Sequence, residues 1–237
     1  MKKRMIFAMA CLLSPGLASG VMAADGFDKE LSALRKDIIP MCAQLQAGKP
    51  AQSPEQLLKE IDAIAAGWKA LETKYASEPP AAYAKDPAWK SYFAEAADNF
   101  SIMRAKAADG DYKRAMQFCG LNCALFVKIH QVNGIVTLTD KMFSIRQGLR
   151  NAQSMAVAGN RKGAAKLVEE AAKGVAELEG IKPPEGAETG AWDADLRAVK
   201  EAMAALEADF ETGEYAKFDA GLKKFLAVFN KIYSARV

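Results

Sequence analysis

Two cysteines and the chain's single histidine are spaced so that they share one face of a predicted helix near the middle of the sequence. Cys119, Cys123 and His130 stand at spacings that bring side chains to neighbouring positions on a helix. Cys42, preceded by Met41, adds a further thiol and a thioether. Thiolate and thioether ligands select Cu(I), and thiolate with imidazole suits Zn(II) or copper. These five residues are therefore our candidate ligands for a soft metal ion.

A second interpretation of the cysteines needs no metal. Cysteine is often a small buried hydrophobic residue, and these thiols are then packing or redox residues. A bond between Cys119 and Cys123 would be strained, because one intact helical turn does not readily supply the torsion that a disulfide requires. If the first and fourth helices are neighbours, Cys42 is the better partner.

The chain contains an internal repeat with an offset of 103 residues that runs without a gap from Trp89 and Trp192 to the C-terminus. Gly110 matches Gly213 in the same register, and we expect both tryptophans to plug the ends of helical bundles. A repeat of this length is a duplicated domain. The last helix of the second copy carries an inward stripe of Tyr215, Phe218, Leu222, Leu226, Phe229 and Tyr233. The matching stripe of the first copy is Tyr112, Ala115, Cys119, Cys123, Phe126 and His130, so the reactive side chains belong to the first copy alone.

The N-terminal segment 1–23 is predicted to be a secretory signal peptide. It has a basic start, an apolar run at 5–13 and a small-residue exit ending at Ala23. The apolar run is too short to span a bilayer. We therefore expect a protein of the bacterial periplasm with no transmembrane segment.

Charge and cysteine number exclude some classes of function. The chain has 32 Lys and Arg against 29 Asp and Glu, and the excess of three lies at Lys2, Lys3 and Arg4 in the predicted signal peptide. A neutral chain with dispersed charges has no electrostatic footprint for nucleic acid. Three cysteines would remain after cleavage, so in an oxidising compartment at least one thiol stays free, binds a metal or pairs between molecules.

The pattern of the mature chain is helical almost throughout, with breaks at Pro, Gly, Asn and Asp. Helices are predicted at 26–47, 54–76, 87–109, 111–132, 136–158, 160–180, 190–211 and 213–235. Ser53-Pro54 and Asp86-Pro87 are the expected helix starts of the second and third helices. We predict an all-α protein of two tandem antiparallel four-helix bundles, at 24–133 and 134–237.

The predicted bundles resemble cytochrome c′, the class II cytochromes c. The resemblance rests on a tryptophan at the start of the third helix, a Gly-Asp turn and cysteines late in the fourth helix. That family attaches haem through C-x-x-C-H. The motif aligns with Cys123-Ala124-Leu125-Phe126-Val127 in the first copy and with Leu226-Ala227-Val228-Phe229-Asn230 in the second. Only its first thiol is retained, and both copies lack the axial histidine.

The altered motif implies that covalent haem attachment fails in both copies. Phe126 and Phe229 would occupy space that the family gives to the macrocycle. Noncovalent haem held by His130 or Met41, in a residual electron-transfer protein, is an alternative.

No catalytic pattern is present in the sequence, such as G-x-S-x-G, a phosphate-binding loop or H-E-x-x-H. We therefore expect a non-enzymatic periplasmic binding protein without covalent haem. In the first interpretation it binds Cu(I) or Zn(II) through the first copy. In the alternative it is a structural or interaction module whose partner is another envelope protein.

Overall fold

The computed structural model describes residues 26–48, 52–181 and 189–236, with side chains described for all of these except 189 and 234–236. Within these residues the regular structure is entirely helical, which confirms the all-α prediction. No helix in this part of the chain is long and apolar enough to cross a membrane. The predicted signal peptide 1–23 lies outside the described residues.

Eight α-helices follow one another along the chain. They are α1 (Gly26–Gln46), α2 (Pro54–Tyr75), α3 (Trp89–Ala108), α4 (Tyr112–Val132), α5 (Leu138–Val157), α6 (Arg161–Glu177), α7 (Thr189–Glu211) and α8 (Tyr215–Arg236). A short 3₁₀ turn, Leu178–Gly180, extends α6. Each helix agrees with its predicted range to within three residues.

The helix starts are set by local side-chain hydrogen bonds. The Ser53 hydroxyl accepts the backbone N–H of Gln56 at the start of α2, as the sequence predicts. The prediction that Asp86-Pro87 begins the third helix is wrong, because α3 begins at Trp89. The Asp86 carboxylate accepts the backbone N–H of Ala88 within a turn that precedes the helix.

The helices fall into two halves with the same pattern of neighbours. In the first half, α1 to α4 pack in sequence and α4 closes the ring against α1; α5 to α8 do the same in the second half. Each half has its own apolar core. Trp89 and Trp192 are both buried, one in each core. Tyr215 departs from the predicted inward stripe: it is the first residue of α8 and is exposed.

The two halves also pack against each other. Phe143 of α5 belongs to the core of the first half, and Ile39 of α1 packs against the core of the second. Helices α4 and α5 are neighbours, joined by a short connection at 133–137. Side chains of α1, α4 and α5 therefore meet where the halves join. This region is called the junction below.

Candidate functional site

A disulfide bond joins Cys42 of α1 to Cys119 of α4, with their Cα atoms 5.9 Å apart. Both side chains are buried in the first core. The bond fixes two neighbouring helices to each other across 77 residues of sequence. The prediction that Cys42, rather than Cys123, is the better disulfide partner for Cys119 is confirmed.

The third thiol, Cys123, remains free and is buried one helical turn beyond Cys119. Burial raises the pKa of the Cys123 thiol, although the positive charges of Arg35 and Arg146 act in the opposite direction. The thiol is therefore protonated at neutral pH. A buried, protonated thiol is a poor nucleophile and a poor metal ligand.

His130 lies near the C-terminal end of α4 and is held between two carboxylates. Its Nδ1 hydrogen-bonds Asp140 of α5, and its Nε2 lies 3.5 Å from a carboxylate oxygen of Asp28 of α1. The histidine side chain is only 3% exposed. The ring therefore connects three helices and both halves of the chain.

Asp140 also binds Arg35, which completes a buried network of charges. The Arg35 Nη1 donates to the second carboxylate oxygen of Asp140 at 2.5 Å, and both side chains are buried. The Thr137 hydroxyl donates to Asp140 and also accepts its backbone N–H, so it fixes the carboxylate at the start of α5. Asp140 thus has a partner from the first half on each of its oxygens.

The charges of this network reinforce each other. Burial opposes protonation of His130, but the hydrogen bond to Asp140 and the ion-pair contact with Asp28 outweigh it and raise the pKa to about 9. Burial also opposes ionisation of Asp140, but His130 and Arg35 hold the pKa of its carboxyl below the ordinary value. At neutral pH an imidazolium and a guanidinium therefore flank a carboxylate.

Tyr83 closes the network on the side of the α2–α3 connection. Its hydroxyl donates to Asp28, and its ring stacks on Trp89 with centroids 4.7 Å apart. The packing of the connection therefore depends on the same carboxylate that faces His130.

Two residues of the second half extend the junction. The Arg146 guanidinium of α5 lies 4.6 Å from the centre of the Tyr233 ring of α8. Burial raises the pKa of Tyr233, while the positive charges of Arg146 and Arg35 act in the opposite direction. The free cysteine and the two arginines therefore lie within electrostatic range of each other.

The structure brings some of the predicted metal ligands together and separates others. Cys42 and Cys119 are in direct contact, but they are joined as a disulfide. The His130 ring nitrogens lie against the carboxylates of Asp140 and Asp28. Met41 is buried in the first core. No group of three His, Cys, Asp or Glu side chains in the described part of the chain is arranged to hold a metal ion.

Arg35 and Asp140 were not among the predicted site residues, although the sequence contains a signal for each. Arg35 stands between Leu31 and Ile38 at the helical spacing of an inward stripe, where an arginine is unusual. Thr137 and Asp140 have the spacing of a capping pair at the start of a helix. Neither signal identifies the partner across 105 residues of sequence.

Comparisons with known proteins add no family to this description. No protein-family model, curated protein or solved structure matches the chain.

Proposed function

We propose that the protein is a non-enzymatic binding protein of the bacterial cell envelope, built from two tandem antiparallel four-helix bundles of cytochrome c′-like fold. The closed ring of four neighbouring helices in each half and the 103-residue repeat support this architecture. The state of the reactive side chains supports a role without catalysis. His130 is engaged on carboxylates, and the Cys123 thiol is buried.

The proposed bundles work without haem. The Phe126 and Phe229 side chains are completely buried, and they pack against other rings. Phe126 lies 5.3 Å from the Trp68 ring, and Phe229 stacks on Phe225 at 5.2 Å between centroids. Protein matured together with a c-type haem system should give no pyridine haemochrome signal after acid–acetone extraction. A stoichiometric signal would contradict the proposal.

Within this class, we propose that the chain is an interaction module whose partner is another envelope protein. The Cys42–Cys119 disulfide carries this choice, because it converts two of the candidate metal ligands into a structural cross-link. Apolar exposure on α4 supports a protein partner. Leu121 and Val132 are 52% and 57% exposed, and eleven residues of helix place them on nearly the same face.

In vivo photo-crosslinking tests the interaction module. A photoreactive amino acid at Leu121 or Val132 should give a discrete adduct with one envelope protein, identified by mass spectrometry and reproduced with the purified pair. The control position is Lys166 of α6, whose side chain is 78% exposed. An absence of adducts at both α4 positions, or the same adducts at Lys166, would contradict the proposal.

A soft-metal site in the reduced protein is the second candidate function. Reduction would release Cys42 and Cys119 in contact, with Cys123 one turn away on α4. Three thiolates suit Cu(I) or Zn(II), and their deprotonation would make the affinity rise with pH. His130 and Met41 complete the predicted ligand set.

Metal titration against a competing chelator tests this second function. The reduced protein should bind Cu(I) or Zn(II), the oxidised protein should not, and Cys119→Ser with Cys123→Ser should remove the site. If the reduced wild type binds no tighter than the double variant, the cysteines serve only as packing and cross-linking residues.

A further inference from the structure

The Arg35 guanidinium has one satisfied side and one free side. Its Nη1 donates to Asp140, while its Nε and Nη2 are buried without a hydrogen-bond partner. These two nitrogens form the edge of a guanidinium that binds both oxygens of a carboxylate or a phosphate. A buried charged donor without a partner costs desolvation free energy, so an acceptor bound at this edge would stabilise the protein.

A further donor lies in the same region. The Tyr233 hydroxyl is buried without a hydrogen-bond partner, and the Tyr233 ring contacts the Arg146 guanidinium at 4.6 Å. Arg146 has no carboxylate within 4 Å among the described residues, and its guanidinium lies over the Tyr233 and Phe143 rings. Arg35 of α1 and Arg146 of α5 both act electrostatically on the Tyr233 hydroxyl of α8, so two cations and this hydroxyl lie in the same part of the junction.

The charges of the junction also favour an anion, because positive side chains outnumber the carboxylates that could pair with them. Asp28 and Asp140 offset His130 and Arg35, which leaves Arg146 and Arg150 without a carboxylate partner in the described part of the chain. Arg150, one turn after Arg146, donates to the Gln46 side chain. Burial lowers the pKa of Arg150, and the positive charge of Arg146 lowers it further. An additional negative charge would relieve this repulsion.

We propose that the junction binds a small oxyanion, held by the Nε and Nη2 edge of Arg35, the Arg146 guanidinium and the Tyr233 hydroxyl. The matching ligand carries two oxygens on one atom, as a carboxylate or a phosphate does. The site uses neither the cysteine sulfurs nor the exposed face of α4, so its test in the oxidised protein does not depend on the metal or the protein partner proposed above.

Titration of the mature, oxidised protein with acetate, inorganic phosphate and sulfate, against chloride at equal ionic strength, tests the site. The arginine Nε–H resonances in ¹H–¹⁵N spectra and isothermal calorimetry report the binding. At least one oxyanion should shift the Arg35 resonance and bind with heat, and the affinities separate carboxylate from phosphate chemistry. If no oxyanion differs from chloride, water satisfies these donors and the proposal is overturned.

Variants locate the site. Arg146→Gln should weaken binding roughly tenfold or more, since a hydrogen bond to a charged group is lost, and Tyr233→Phe should weaken it to a smaller extent. The matched control is Arg161→Gln, because Arg161 lies over the Phe210 ring elsewhere in the second half. Equal affinities for Arg146→Gln and Arg161→Gln, together with an unchanged Tyr233→Phe, would overturn the assignment. If Arg146→Gln does not fold, Tyr233→Phe and the Arg35 resonance decide the question.

Discussion

The His130 side chain of α4 contacts both α1 and α5. It is the only histidine in the chain, and its partners Asp28 and Asp140 come from different halves. Burying such charges costs solvation free energy, and the cost is offset only when the partners are well placed. Removal of one partner should therefore be more damaging than the net contribution of the whole network suggests.

Stability should depend on pH through His130. Its pKa of about 9 in the folded protein lies above the ordinary value of 6.5. The stabilisation is therefore complete below pH 6.5 and is lost as the pH rises through 9, with a total of roughly 3 kcal/mol. Because the pKa of Asp140 is lowered, its contribution is lost on the acidic side, below the ordinary range of a carboxyl. Urea unfolding followed by circular dichroism between about pH 2 and pH 10 covers both limits.

The variant His130→Gln is the control for the alkaline limit. It should be less stable than the wild type at pH 6, and the difference should shrink as the pH approaches 9.5. No second histidine can produce the same effect. A pH-independent difference between the two proteins would show that folding does not raise the pKa of His130.

The disulfide should contribute a large part of the stability of the first half. Cys42 and Cys119 are 77 residues apart. Their cross-link lowers the conformational entropy of the unfolded state, which raises its free energy by roughly 4 kcal/mol. The double variant Cys42→Ser with Cys119→Ser should lose an amount of this order in urea unfolding. The control Cys123→Ser should leave the cross-link intact, because Cys123 is the free cysteine. Thiol titration of the denatured mature wild type should accordingly find one thiol. Equal losses in both variants would contradict the assigned pairing.

At the scale of helices, local sequence determines most of what the structure shows. The eight ranges are predictable because apolar periodicity and breaks at Gly, Pro and Asn act within a few residues. The start of α3 was predicted two residues early, since Asp86 caps a turn at Ala88 rather than the helix itself. The Asp86 carboxylate also accepts from the Asn133 side chain, a tertiary contact that a local pattern does not contain.

The turn before α4 offers a matched pair of glycines. Gly110 has φ of +75°, and Gly120 is within α4; an added Cβ would meet no atom within 4 Å at either position. Gly110→Ala should destabilise the protein by about 1 kcal/mol because an L-residue is strained at positive φ. Gly120→Ala should stabilise it by up to about 1 kcal/mol through helix propensity. Thermal unfolding measures both, and equal signs would contradict the turn geometry.

At the scale of the whole molecule, the two halves differ in how their cores are built. The second core is made of apolar side chains, while the first includes the disulfide and the free thiol and borders the buried charges. The repeat in the sequence shows which positions differ between the copies, including Cys119 and His130. It does not show that Arg35 meets Asp140, because that pairing depends on how the halves dock. The candidate site was therefore only partly predictable.

Because the halves share the junction, we expect them to unfold together. Trp68 and Trp89 report on the first half and Trp192 on the second, and they are the only tryptophans. In Trp192→Phe the fluorescence follows the first half, and in the double variant Trp68→Phe with Trp89→Phe it follows the second. Within each variant, fluorescence and circular dichroism should give coincident urea transitions. Separate transitions would mean that the halves are independent.

A double-mutant cycle across Arg35 and Asp140 tests most directly the central claim that buried charges join the two halves. The proteins compared by urea unfolding at pH 7 are the wild type, Arg35→Met, Asp140→Asn and the double variant. Each single change should cost roughly 3 kcal/mol or more, because it leaves a buried charge without its partner. The double variant should cost less than the sum of the two, by at least about 1 kcal/mol. Additive losses would show that Arg35 and Asp140 do not interact in solution and would contradict the account of the junction.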